Sequence, residues 1–169
     1  MTAIVKDLYE IGEIPPLGHV PANMHAWCIR KERHGAPESA MQVEVVPTWK
    51  IGQDEVLILV MAAGVNYNGV WAALGTPISP IDGHKNPFHV AGSDASGVVY
   101  AVGEKVKRWK VGDEVVVHCN QDDGDDEECN GGDPMFTIRS ASGDMKHRMV
   151  LLRSLPAYRR ASCCRARST

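Results

Sequence analysis

The residues whose types best suit chemistry are three neighbours, Asn66, Tyr67 and Asn68. Asparagine amides and the tyrosine hydroxyl are neutral hydrogen-bond donors, the kind of group that stabilises an oxygen on which negative charge develops. The three residues come shortly after residues 56–61, an apolar run that predicts a buried strand, and a rigid strand can aim the side chains that come after it. The alternatives are structural, since Asn66 could cap a helix and Tyr67 could pack in the core.

Two glycine patterns decide whether the chain contains a phosphate-binding loop. Residues 92–97 have the glycine spacing of a P-loop, but Val98 and Val99 occupy the places of the required Lys and Ser or Thr. No Gly-x-Gly-x-x-Gly pattern occurs. The sequence therefore predicts no dinucleotide site of the Rossmann type within these 169 residues.

The cysteines and acidic residues lack the spacing of a metal site. Cys119 and Cys129 have no Cys-x-x-Cys pair beside them, and His118 is more readily explained as a half-buried side chain than as a ligand. The acidic residues 122–128 suggest a calcium loop, but the EF-hand register places Thr137 at the twelfth position, where glutamate is required. We predict no metal ion and interpret the acidic run as a solvated loop.

The elements that must position the polar residues are mainly strands. A short helix is predicted from Asn68 to Leu74, ended by Gly75. Strands at this spacing, with glycine and aspartate turns between them, predict a mainly β fold with short helices, built as a partly closed β-barrel. The predicted strands cover residues 41–46, 56–61, 97–102 and, after a turn, the end of 111–118.

Composition places the chain among globular proteins of one domain, because it has 169 residues of which 44% are apolar and 23% charged. The longest apolar run, Val56–Ala63, is far too short to span a bilayer. The first ten residues lack the apolar stretch of a secretory signal, and the odd number of cysteines argues against a disulfide scaffold. We therefore expect a cytoplasmic protein without a membrane partner.

The net charge of −3 conceals two regions of opposite sign. By count of charged residues, 1–135 carry −10 and 136–169 carry +7. A basic tail prompts a nucleic-acid interpretation, but the acidic body offers no basic stripe with interleaved aromatic residues. We expect no nucleic-acid partner.

Three segments, taken in their order and spacing, resemble a known domain. They are residues 62–68 after the buried strand, the glycine-punctuated residues 90–99, and the turn and strand of residues 102–115. Together they resemble the GroES-like catalytic domain of the medium-chain dehydrogenase/reductase superfamily. The longer runs 66–75 and 118–135 are similar to one branch of it, the crotonyl-CoA carboxylase/reductase family.

The resemblance implies an enzyme that uses NADPH to reduce an enoyl-CoA such as crotonyl-CoA. The resulting enolate is then trapped by CO2, or by a proton when CO2 is lacking. Zinc-dependent members of the superfamily have a cysteine where Asn66 stands and a His-Glu pair where Ser93 and Asp94 stand, so the resemblance implies a zinc-independent reductase. It also implies that the intact family member is an oligomer.

The resemblance further implies that an asparagine of this half holds CO2, and matching leaves both Asn66 and Asn68 open. Trp71, one turn beyond Tyr67, is more readily explained as a core residue, with a substrate wall as the functional alternative. The candidate catalytic residues are Asn66, Tyr67 and Asn68, and the candidate substrate-binding residues are Ser93, Asp94 and Trp71.

The resemblance ends at Phe136, and the family continues with a segment that contains Trp-Gly-Tyr-Glu. That segment can be obtained from this sequence by joining the third base of each codon to the first two bases of the next. Met145 followed by Lys146, for example, requires a glutamate codon in the shifted frame. The match predicts a single frame disruption near residues 136–138.

We therefore predict an incomplete GroES-like domain over residues 1–137 and an out-of-frame, poorly ordered tail over residues 138–169. Because no dinucleotide-binding domain is present, we expect the fragment to be inactive alone. Two alternatives stay open: a fragment of a zinc-independent quinone or enoyl reductase that does not carboxylate, and a non-catalytic β-barrel interaction module.

Overall fold

The computed structural model describes residues 5–53, 55–117, 127 and 132, and the backbone of residues 150–153. The strands are β1 (Asn23–Ile29), β2 (Gln42–Pro47), β3 (Val56–Ala62), β4 (His89–Val90), β5 (Ala95–Val102), β6 (Glu114–Val117) and β7 (Val150–Arg153). The helices are α1 (Pro37–Ala40) and α2 (Tyr67–Leu74), with 3-10 turns at Lys31–Arg33 and Pro80–Gly83.

The strands form two sheets, one in the order β2-β1-β4 and the other in the order β6-β5-β3-β7. Neighbouring strands are antiparallel except β3 and β7, which run parallel. The prediction of a mainly β fold with short helices is confirmed. Within the described ranges the two sheets stay separate and do not close into one continuous barrel.

Strand β3 lies at the centre of the core and is buried on both faces, as its β-branched run predicts. On one face Leu57 and Leu59 pack against residues of β1 and against Tyr100. On the other face Ile58 and Val60 pack against residues of β5 and β6. Each side chain of this size contributes about 1.5–3 kcal/mol by leaving water, so burial fixes the position of β3 firmly.

The close approach of β5 to β3 depends on Gly97. A Cβ at Gly97 would overlap the main-chain carbonyl of Leu59 on the neighbouring strand. The two strands shift register near the end of β3, where one residue is left out of the pairing. As a result the chain leaving β3 at residue 64 meets the turn before β5, at Asp94.

The sequence patterns did not predict β1, β4 or β7. In β1 the buried residues Met24, Ala26 and Cys28 alternate with half-buried ones, as a strand requires. The alternation is weak in the sequence because two of the three buried residues are small and because Trp27 lies on the opposite face. Burial of β1 comes from its pairing with β2 and from contact with β3.

Within the segment 138–169, which the sequence predicts to be poorly ordered, the structure describes the backbone of Val150–Arg153. These four residues form β7 and pair with Leu57–Val60 of β3. This pairing covers an edge of β3 with main-chain hydrogen bonds. The other tail residues lie outside the described residues. The same is true of Cys119, Cys129 and most of the acidic run 122–128.

No helix within the described ranges is long and apolar enough to cross a membrane.

Candidate functional site

Helix α2 begins immediately after β3 and is capped by the first candidate residue. The Oδ1 atom of Asn66 accepts a hydrogen bond from the main-chain N–H of Asn68 at 3.0 Å. At the other end Gly75 has a left-handed φ of 69°, and its N–H donates to the carbonyl of Trp71 at 2.9 Å. The helix cap that the sequence left open as a structural role for Asn66 is therefore present.

The same amide joins α2 to the turn before β5. The Nδ2 atom of Asn66 donates to the Oδ1 atom of Asp94 at 2.9 Å, and it lies 3.4 Å from the Ser93 hydroxyl. That hydroxyl in turn donates to the Asp94 carboxylate at 3.3 Å. The structure thus brings together three of the six predicted site residues, although 27 and 28 positions of sequence separate Asn66 from the other two.

Gly64 makes room for the Asp94 carboxylate. A Cβ at position 64 would overlap the Oδ2 atom of Asp94. The carboxylate therefore rests against the main chain between β3 and α2, which explains why a residue without a side chain is needed there.

The aromatic side chains of α2 face away from the core. Tyr67 is 66% exposed and Trp71 is 47% exposed, so the core position predicted for Trp71 is not observed. The two rings pack edge to face with centroids 5.4 Å apart. Only Ala73 of this helix is fully buried.

Asn68 and Tyr67 present polar groups at the N-terminal end of α2. Both residues are exposed, and neither the Tyr67 hydroxyl nor the Asn68 amide makes a side-chain hydrogen bond to the part of the chain that the structure describes. They are donors that a bound molecule can use. Asn66, in contrast, already has internal partners for both ends of its amide.

His34 is a residue that the sequence analysis missed, and it fixes the far end of α2. Its Nδ1 atom lies 3.1 Å from the carbonyl oxygen of Ala73, and its Nε2 atom lies 2.8 Å from the Ser79 hydroxyl. The main-chain N–H of Gly35 donates to the same carbonyl at 3.0 Å. No local motif marks this histidine, because its partners lie some forty positions further along the chain.

An ion-pair cluster stabilises the sheet next to α1. Glu44 on β2 accepts hydrogen bonds from Arg30 and Arg33, and its side chain is only 19% exposed. Hydrogen bonding to Arg30, and secondarily to Arg33, lowers the pKa of Glu44 to about 2. The carboxylate is therefore ionised at neutral pH and its charge is compensated within the protein.

The described residues do not form a metal site. They contain no group of three or more histidine, cysteine or acidic residues that could hold an ion. Asn66, Ser93 and Asp94, the positions that the resemblance compares with zinc ligands, hydrogen-bond to one another. An amide, a hydroxyl and one carboxylate lack the imidazole and thiolate ligands that zinc prefers.

The described residues also lack a cradle for the phosphates of NADPH. Such a cradle uses free N–H groups at the start of a helix, after a glycine-rich turn. At the start of α2 an N–H group is already bound by the Asn66 side chain, and the turn at residues 92–94 leads into β5 rather than into a helix. The polar groups that this site leaves unused within the described residues, the Tyr67 hydroxyl and the Asn68 amide, are neutral donors.

The fold and the position of the site at the end of the central strand define the class of protein. The alcohol dehydrogenase GroES-like domain matches residues 52–153, which is more than half of the chain. The chain therefore belongs to the alcohol dehydrogenase GroES-like domain family, within the medium-chain dehydrogenase/reductase superfamily.

Within this class, the chain is similar to crotonyl-CoA carboxylases/reductases. The sequence is 77% identical over 132 residues to a crotonyl-CoA carboxylase/reductase of Cereibacter sphaeroides, a match that covers 78% of this chain and 31% of the relative. A solved crotonyl-CoA carboxylase/reductase superposes with a TM-score of 0.75 at 75% identity, covering 82% of this chain and 32% of that one.

The crotonyl-CoA carboxylase/reductase AntE in complex with NADP superposes with a TM-score of 0.70 at 48% identity, covering 80% of this chain and 35% of that one. The predicted resemblance to this family is confirmed. The chain spans about a third of the length of these relatives.

Proposed function

We propose that this chain forms the substrate-facing part of a catalytic domain that binds an enoyl-CoA such as crotonyl-CoA. The observation that supports the proposal best is the hydrogen bond from Asn66 to Asp94, which holds the start of α2 against the turn before β5. It places Tyr67 and Asn68 at an exposed edge with their polar groups unused in the described residues. The identity to crotonyl-CoA carboxylases/reductases supplies the substrate class.

The proposed roles follow from the chemistry of an enoyl thioester. As such a molecule is reduced at its β-carbon, the thioester oxygen gains negative charge, and neutral donors stabilise it without competing for a proton. The Tyr67 hydroxyl and the Asn68 amide can act on this oxygen or on a CO2 oxygen. Asn66 is held in place by its cap and by Asp94, and it can contribute one further N–H.

The substrate-binding residues of the proposal lie on both sides of these donors. Trp71 offers an exposed apolar surface beside Tyr67 that suits an acyl chain. Ser93 and Asp94 border Asn66 on the side of β5. NADPH would be bound by a part of the enzyme that these residues do not supply, so we propose that the chain has no reductase activity alone.

Titration of the chain with crotonyl-CoA tests this proposal. We expect the main-chain 15N–1H signals of residues 66–68 and 71 to shift, and coenzyme A without the acyl group to shift them less. Tyr67→Phe and Asn68→Ala should each weaken binding by about tenfold, the effect of one hydrogen bond. Tyr9→Phe, which removes a hydroxyl from the N-terminal segment, is the matched control and should bind as the wild type does.

NADPH provides a second test of the same proposal. Because a ligand that binds only the folded state raises its stability, a chain without a dinucleotide site should show no change in melting temperature with NADPH. A clear rise at concentrations that saturate an ordinary reductase would contradict the proposed division of the site. Absence of any shift with crotonyl-CoA would contradict the proposed substrate class.

We also propose the domain limits expected from the sequence, with a GroES-like part over residues 1–137 and an out-of-frame tail over residues 138–169. The reversal of charge near residue 136 supports this division. The family match through residue 153 and the strand Val150–Arg153 are the observations against it. The nucleotide sequence around codon 137 decides, because the family segment must then be encoded in the neighbouring frame.

We further propose a cytoplasmic location and, for the intact enzyme, an oligomer. Cys28 is a free thiol, and burial raises its pKa to about 11, so it stays protonated and unreactive at neutral pH. Fractionation of cells that produce the chain tests the location, and sedimentation of the purified intact enzyme tests the oligomer.

A further inference from the structure

We infer that Asp94 is a positioning residue: it orients the Asn66 amide and acts on a substrate only through that amide. The inference rests on the proposed function, because it concerns how the same site presents its donors. It differs from the direct contact with substrate that the sequence analysis expects of Asp94.

The Asn66 amide has a single possible orientation. Its oxygen faces the main-chain N–H of Asn68, which can only donate, at 3.0 Å. Its nitrogen faces the carboxylate of Asp94, which can only accept, at 2.9 Å. Rotation of the amide by 180° would set oxygen against carboxylate and NH2 against N–H, so the two contacts together exclude the other orientation.

Asp94 is itself fixed by its surroundings. Its Oδ2 atom lies against the main chain of Gly64, where a Cβ would overlap it. Its Oδ1 atom accepts from Asn66 and from the Ser93 hydroxyl. Since both carboxylate oxygens are in contact with the protein, Asp94 is better placed to hold a neighbour than to bind a substrate.

The consequence is a donor of fixed direction. The Asn66 nitrogen has two hydrogens, and Asp94 takes the short hydrogen bond while the contact to the Ser93 hydroxyl is long, at 3.4 Å. The second hydrogen is therefore weakly held and can be given to an oxygen of a bound molecule. Asn66 is exposed, so a molecule arriving at α2 can reach it.

The side-chain NH2 signals of Asn66 in the 15N-labelled chain test the inference directly. Asp94→Ala removes the acceptor, so both Asn66 protons should move toward the shifts of a free amide and exchange with water about tenfold faster. Asp94→Asn retains an oxygen of the same shape and should preserve most of the wild-type signals. Asp7→Ala, which removes an exposed carboxylate from the N-terminal segment, is the matched control and should leave these signals unchanged.

Binding provides the readout that a purely structural role would not move. We expect Asp94→Ala to weaken crotonyl-CoA binding by about tenfold and Asp94→Asn to restore it to within about threefold of the wild type, at equal thermal stability. If Asp94→Ala does not fold, Gly64→Ala gives the same readout, because its Cβ would displace the carboxylate.

The outcomes separate this inference from the proposed function. Unchanged Asn66 amide signals in Asp94→Ala, or an Asp94→Asn variant as impaired as Asp94→Ala, would overturn the positioning role. A wild-type chain that fails to bind crotonyl-CoA would overturn the proposed function, while the amide signals would still decide whether Asp94 orients Asn66.

Discussion

The imidazole ring of His34 lies directly against Gly75, so closely that a Cβ at Gly75 would come within 2.6 Å of the ring carbon Cδ2. The ring is held from two sides. Because a carbonyl can only accept, the Nδ1–H of His34 donates to Ala73 at 3.1 Å, and Nε2 accepts from the Ser79 hydroxyl at 2.8 Å. The contact ties the loop after β1 to the end of the helix that begins at the candidate site.

Substitution of Gly75 by alanine should destabilise the protein for two reasons that can be separated. Gly75 has a φ of 69°, where a side chain costs about 1 kcal/mol, and the new Cβ would also overlap the His34 ring. Overlap in a packed site adds about 1–3 kcal/mol. We therefore expect Gly75→Ala to lower the free energy of unfolding by about 2–4 kcal/mol, measured by urea denaturation.

Gly12 supplies the control for this substitution. Its φ is 95°, but no atom lies within 4 Å of the position that a Cβ would occupy. Gly12→Ala should therefore show only the backbone cost, about 1 kcal/mol. In the double variant His34→Ala/Gly75→Ala the overlap is gone, so the loss in free energy of unfolding should be less than the sum of the losses in the two single variants. Strict additivity of these losses would mean that the ring contact is energetically unimportant.

Acid should weaken the sheet that contains Glu44. The pKa of this carboxyl lies at about 2 in the folded protein and near 4.5 when it is free, because Arg30 and Arg33 stabilise its charged form. A lowered folded-state pKa contributes stability that is present above pH 4.5 and is lost as the pH falls towards 2. The loss should amount to a few kcal/mol, on the order of 3, as an upper bound.

Glu44→Gln should flatten the pH dependence of unfolding below pH 4.5 and lower stability at neutral pH. Glu38→Gln, at an exposed position of α1 without an ion pair in the described residues, is the matched control and should leave the acid slope unchanged. Equal slopes for the wild type and Glu44→Gln would show that the arginines do not perturb this carboxyl.

The parts of the fold that sequence predicts well are those whose signals are local. The run Val56–Met61 is apolar throughout and half of its residues are β-branched, a pattern typical of a strand buried on both faces. The helix of the candidate site is similarly marked by Asn66 at its start and Gly75 at its end. Both elements are present, and α2 begins one residue before the predicted start.

The parts that sequence could not predict depend on contacts between distant positions. His34 meets its partners only after the chain has formed β2, β3 and α2, and nothing in its neighbouring residues indicates this. Asp94 resembles any turn aspartate until Gly64 is placed beside it. The candidate residues were found by type and resemblance, but the coupling of Asn66 to Asp94 required the folded chain.

A second pH-dependent step should arise at His89. This histidine lies on β4 with its ring stacked on that of His84, the centroids being 5.6 Å apart and the facing nitrogens 3.4 Å apart. Burial, with a smaller effect of His84, lowers the pKa of His89 from 6.5 to about 4. Because the unfolded chain binds the proton more readily, stability is full above pH 6.5 and falls as the pH approaches 4.

The two acid-sensitive groups act in windows that measurement can separate. Between pH 6.5 and 4.5 the decline in the free energy of unfolding should come from His89. The contribution of His89 should reach at most about 3 kcal/mol by pH 4, whereas Glu44 contributes only below pH 4.5. His89→Gln should remove the slope of the upper window and leave the lower one intact. His19→Gln, which alters a histidine of the N-terminal segment, should preserve both slopes; persistence of the upper slope in His89→Gln would assign it to another group.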